Sequence, residues 1–162
     1  MTQPGQKQDV RDDRAESPEE RLDRNTIELL NELRIAGTGV QIMFAFLLVV
    51  PFNAGWSKTS SFERTVYFVT LAFVALATFL LIAPPAQHRL LFRHHEKPYL
   101  IVLANRLAIA ALVFLSLGFA GILVLLSDYV VGGIAPIVTG ALTLAITGGL
   151  WFALPLMRLA ME

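Results

Sequence analysis

Four windows of this chain contain no Asp, Glu, Lys or Arg: 35–57, 65–88, 107–127 and 129–157, of 23, 24, 21 and 29 residues. A helix rises 1.5 Å per residue, so about 20 apolar residues cross the ~30 Å hydrocarbon layer of a bilayer. Inside lipid, backbone polar groups must be satisfied within the segment, which selects helices for windows of this length. The expected fold is therefore an all-α membrane protein. It has four transmembrane helices in an antiparallel bundle, preceded by a cytoplasmic amphipathic helix and a disordered N-terminal tail.

The charge that the windows exclude is gathered elsewhere. The 162 residues carry 13 basic and 13 acidic side chains, and the first 34 residues hold nine of the acidic and six of the basic ones. Such a segment cannot bury a core of its own. The balanced total gives no reason to invoke nucleic acid. Cysteine is absent, which excludes disulfides, thiolate metal sites, iron–sulfur clusters and thiol catalysis. The first long apolar run begins only after residue 34, so the N-terminus does not read as a secretory signal. Neither end carries a lipidation motif.

Residues 1–16 read as a disordered cytoplasmic tail. Ser17-Pro18-Glu19-Glu20 is a helix start, with Ser17 as cap, Pro18 in the first turn and Glu20 closing a capping box. Residues 17–34 form an amphipathic juxtamembrane helix, with Leu22, Leu29, Leu33, Ala36 and Val40 on one stripe and Thr26 filling its gap. This helix either lies on the membrane surface or runs straight into the first span. The transmembrane domain covers 35–158, with spans at about 35–52, 62–83, 99–126 and 134–154. Pro84-Pro85 ends the second span and Pro155 marks the exit of the fourth. Trp56 suits the headgroup zone.

Orientation follows the basic residues. With the N-terminus inside, the tail, the 86–98 loop, Arg106 and the C-terminus place 11 Lys and Arg on the cytoplasmic side, against Lys58 and Arg64 outside. Both termini are then cytoplasmic in a multi-pass membrane protein.

A few polar residues stand out as candidate interaction sites: Glu28, Glu32, Arg34, Gln41, Asn105 and Arg106. Arg106, beside Asn105, lies about one and a half turns into span three. It snorkels to anionic headgroups, binds an anionic ligand, or pairs with Glu28 or Glu32 and staples the first helix to the bundle. Near Gly37, Thr38 and Gly39, Gln41 either hydrogen-bonds a neighbouring helix that the glycines let approach closely, or coordinates an ion or substrate in a cavity that they open. Gly118-x-x-Gly121, Gly140, Gly148 and Gly149 favour close helix approach. Thr139, Thr143 and Thr147 make a hydroxyl stripe, either the polar lining of a pathway or, as the less costly arrangement in lipid, hydroxyls bonded to carbonyls one turn back in the same helix. Glu63-Arg64 at the outer end of span two reads as an interfacial pair or as a helix-start carboxylate favoured by the dipole. His88, His94 and His95 in the basic loop lack metal-ligand spacing and face anionic lipid instead.

No Asp, Glu or Lys lies mid-span. Ion-coupled transport usually exchanges its ion at such a residue, and no nucleophile–base constellation can be assembled in the membrane.

The runs ELLNELRIAGTGVQIMFAFLLVVPF, FERTVYFVTLAFVALATFLLIAPPAQHRLLFR and ANRLA resemble a family of small bacterial membrane proteins of unknown function over about residues 19–155. That family occurs chiefly in actinobacteria, and some members carry a sodium:proton antiporter label. The resemblance implies a four-span inner-membrane protein with cytoplasmic termini and supplies no catalytic residues.

The function expected is that of a non-enzymatic structural or interaction protein, without catalytic residues, cofactor or metal. Its partners are membrane lipids, through anionic headgroups at the cytoplasmic face, and a second copy or another membrane protein. The alternative is a small ion transporter or channel acting as an oligomer.

Overall fold

The computed structural model describes residues 18–91 and 97–161. The 1–16 tail, the Ser17 cap and the His94–His95 stretch of the basic loop lie outside them. The described chain forms α1 (Pro18–Val49), two 3-10 turns (Val50–Phe52 and Ala54–Lys58), α2 (Ser61–Leu91), α3 (Lys97–Val130), α4 (Ala135–Gly148), a π-turn (Gly149–Ala153) and α5 (Leu154–Leu159). Four helical stretches, Arg24–Phe52, Ser61–Leu90, Tyr99–Val130 and Ala135–Leu159, are long and apolar enough to cross a membrane.

The buried positions repeat every seven residues. In α1 they are Leu33, Val40 and Leu47; in α2, Tyr67, Val74 and Leu81, alternating with Thr70, Ala77 and Pro84; in α3, Ala104, Ala111 and Gly118. This spacing keeps one seam of each helix facing its neighbours, knobs into holes. Contacts run α1–α2–α3–α4, with α1 also touching α3.

Adjacent helices run antiparallel. Thr70 meets Gly121 while Val74 meets Gly118. Ser127 meets Thr139 while Phe119 meets Trp151. In α1 and α2, Leu47 meets Tyr67 while Gly37 and Leu81 line one cleft.

The structure sets three boundaries. First, of the two courses left open for the juxtamembrane helix it takes the second: the segment 18–34 runs straight into the first span as one unbroken 32-residue helix. Its buried stripe passes through Gly37 and leaves Ala36 exposed, because the seam steps by seven from Leu30 to Gly37 to Phe44. Secondly, α2 does not end at Pro84-Pro85 but carries on to Leu91. Two prolines remove two backbone donors, yet their fixed φ is helical. Pro84 is buried and shares a small gap with Leu29 of α1 and with Leu100 and Ala104 of α3, so tertiary contact holds the helix through the break.

Thirdly, the last span does not finish at Leu154. A π-turn accommodates Pro155: the Leu154 N–H donates to the Gly149 carbonyl five residues back, and α5 follows. The turn between α3 and α4 is tight, and Gly132 and Gly133 adopt φ of +70° and +63° there, a region that L side chains rarely enter.

Candidate functional site

Several serine and threonine hydroxyls within the spans bond back to their own helices. Thr78 donates to the Val74 carbonyl at 2.8 Å, Ser116 to Leu112 at 2.9 Å, Thr143 to Thr139 at 2.7 Å and Thr147 to Thr143 at 2.8 Å. Thr139 donates to Ala135 at 3.0 Å and its hydroxyl also lies 2.8 Å from that of Ser127. The threonine stripe is thus satisfied by bonds one turn back, with one added tie between α3 and α4. Among the described residues no buried side-chain N or O lacks a partner.

The α2–α3 seam is closed. A Cβ placed on Gly121 would collide with Thr70 Oγ1 and lie 3.0 Å from Thr70 Cβ; one on Gly118 would lie 2.8 Å from Val74 Cγ2. Gly140 stands against Val124 Cγ2 in the same way between α4 and α3. Glycine here lets neighbouring helices approach closely.

The α1–α2 seam is open. A cleft of about 700 Å³ runs along it. Its cause is legible in the helix: Gly37 occupies the seam position that Leu30 and Phe44 fill one repeat away, and nothing stands within 4 Å of a Cβ built on it. Leu33 and Leu81, with Ile82 and Pro85, form an apolar wall. Arg34, Thr38 and Gln41 on α1 and His88 and Arg89 on α2 are the cleft's polar lining residues. Thr38 Oγ1 spends its proton on the Arg34 carbonyl at 3.0 Å. Among the described residues, neither the Arg34 nor the Arg89 guanidinium has a carboxylate partner, and the Gln41 carboxamide has no protein partner.

The six candidates named from the sequence separate. Arg34 and Gln41 both line the cleft. Glu28 and Glu32 are exposed, and the ion pair of Glu28 is with Arg24 on its own helix at 3.8 Å. Asn105 and Arg106 are both exposed on α3, beside the buried Ala104. His88 and Arg89 as cleft residues were missed, because the double proline reads as a helix end. The signal was present: the buried series Leu81, Pro84 continues at helical spacing to His88.

The other end of the bundle is held by aromatic groups. Tyr67 donates its hydroxyl to the Leu47 carbonyl at 3.0 Å, linking α2 to α1. Trp56 meets the Tyr67 ring edge-on at 4.9 Å, and Arg64 lies over Trp56 at 5.8 Å. Glu63 accepts from the Ser60 N–H at 2.6 Å while Ser60 Oγ accepts from the Glu63 N–H at 3.1 Å. This reciprocal capping box gives the expected helix-start carboxylate a defined partner.

Residues 15–155 match the family of unknown function DUF6328, and the chain belongs to that family. No curated protein and no solved structure matches the chain.

Proposed function

We propose that this member of DUF6328 is a multi-pass plasma-membrane protein that works by binding and packing, not by turnover. Its termini are cytoplasmic, on the excess of Lys and Arg at the end of the bundle that carries Arg34, Arg89, Arg106 and Arg158. Its partners are membrane lipids, engaged through anionic headgroups at that face.

The observation that carries this reading is the fate of the intramembrane hydroxyls. Thr78, Ser116, Thr143 and Thr147 each donate to a carbonyl of their own helix. Their protons serve backbone satisfaction in a packed interior. Large apolar side chains such as Ile137, Leu142, Ile146 and Leu150 turn outward on the last span, as lipid-facing residues do.

The test is reconstitution. Pure protein in liposomes is expected to pass neither sodium nor protons under an imposed gradient. Flux abolished by Gln41→Leu would overturn the reading in favour of a small ion transporter.

A further inference from the structure

We propose that the α1–α2 cleft is the seat of one anionic phospholipid, its phosphate held by Arg34 and Arg89 and an acyl chain laid along the apolar wall. The proposal deepens the lipid-binding reading by naming the lipid class and the place.

Shape comes first. Leu30 and Gln41, both lining the cleft, are eleven residues apart on α1, roughly 16 Å at 1.5 Å per residue. The cleft is therefore elongated along the helices, as a chain-shaped guest requires. It exists because the seam lacks a side chain at Gly37.

Chemistry matches the shape. Arg34 on α1 and His88 and Arg89 on α2 line the cleft together with the apolar Leu33, Leu81 and Ile82. Two guanidiniums from different helices, without carboxylate partners among the described residues, suit the planar oxygens of a phosphodiester. Both belong to the basic end of the protein, where headgroups of an anionic leaflet lie. Basic recesses between transmembrane helices at that level recognise acidic lipid headgroups. A soluble anion would use the arginines but leave the apolar wall without a role; a zwitterionic lipid would use the wall but bring its own cation to the arginines.

The experiment is lipid retention on the full chain in detergent, read by native mass spectrometry with phosphatidylglycerol and phosphatidylcholine as probes. One phosphatidylglycerol per chain is expected to be retained in preference to phosphatidylcholine. The double variant Arg34→Gln, Arg89→Gln should lose about tenfold or more of that retention, the scale of one charged hydrogen bond. Arg106→Gln removes a charge outside the cleft and should leave retention unchanged. Gly37→Leu fills the cleft with every charge kept, in space the fold leaves open, and should also lose the lipid. Millimolar inorganic phosphate should not displace it.

Equal retention of phosphatidylcholine, equal loss in Arg106→Gln, full retention in Gly37→Leu, or displacement by phosphate would each overturn the proposal. The last would make the site a simple anion site. Ion flux in liposomes would sink the broader functional reading and leave this seat untouched; loss of lipid preference would do the reverse.

Discussion

The two seams of α2 use glycine for opposite ends. Against α3, Gly118 and Gly121 are pressed on Val74 and Thr70, so that no Cβ fits. Against α1, Gly37 sits on the seam with open space where its Cβ would be. From the sequence, Gly118 and Gly121 read as close-approach positions, while Gly37 is open to close approach or to a cavity. The difference lies in the partner. Thr70 and Val74 project into the glycine surface, whereas Leu81, Ile82 and Pro85 stand back as a wall. A glycine thus marks close approach or vacancy according to what the facing helix supplies.

That contrast can be broken by substitution, and the largest effect should come from the closed seam. Gly121→Leu must displace Thr70 or part α2 from α3, and is expected to cost about 3 kcal/mol, the upper range of overpacking. Unfolding in mixed detergent measures it; a loss no greater than that of Gly37→Leu would erase the distinction between seams. Gly118→Ala adds a single methyl against Val74 and should cost about 1–2 kcal/mol in the same assay.

Two smaller effects probe the loop end. Tyr67→Phe removes the hydroxyl that reaches the Leu47 carbonyl and should cost about 1 kcal/mol. Hydrogen exchange should rise through residues 50–60, and unchanged protection there would mean that the tyrosine does not latch the turn. Ser60→Ala deletes half of the capping box and should cost about 1 kcal/mol, with fraying confined to the first turn of α2. The smallest change has the opposite sign. Gly37→Ala gains helix propensity without a clash and should stabilise by about 0.4–1 kcal/mol. A destabilised Gly37→Ala protein would show that the open seam is filled.

The sequence carried the four spans, the close-approach role of Gly118 and Gly121 and the self-satisfied threonines, because each rests on a local rule: charge exclusion, small size, or a hydroxyl within reach of its own backbone. Of its candidate residues, Arg34 and Gln41 line the cleft. The α2 side of the cleft depended on whether α2 survives Pro84-Pro85, and that is decided by the tertiary surroundings of Pro84, which no local propensity contains. The proposed tie between Arg106 and Glu28 or Glu32 required knowing which way α1 and α3 face. Arg24 lies one turn from Glu28 on the same helix, and intrahelical neighbours at that spacing meet without any tertiary cost.

The π-turn at Gly149–Ala153 has a rotational consequence for the end of the chain. One extra residue in a helix advances everything beyond it by about 100° in azimuth. The series Pro136, Gly140, Thr143, Thr147 projects by sevens onto Leu150, yet Leu150 points outward at 58% exposure. Trp151 swings into its place and meets Phe119 across the boundary with α3. A slipped turn thereby exchanges an aliphatic side chain for an indole where α4 ends, and an aromatic clasp closes the final helix pair.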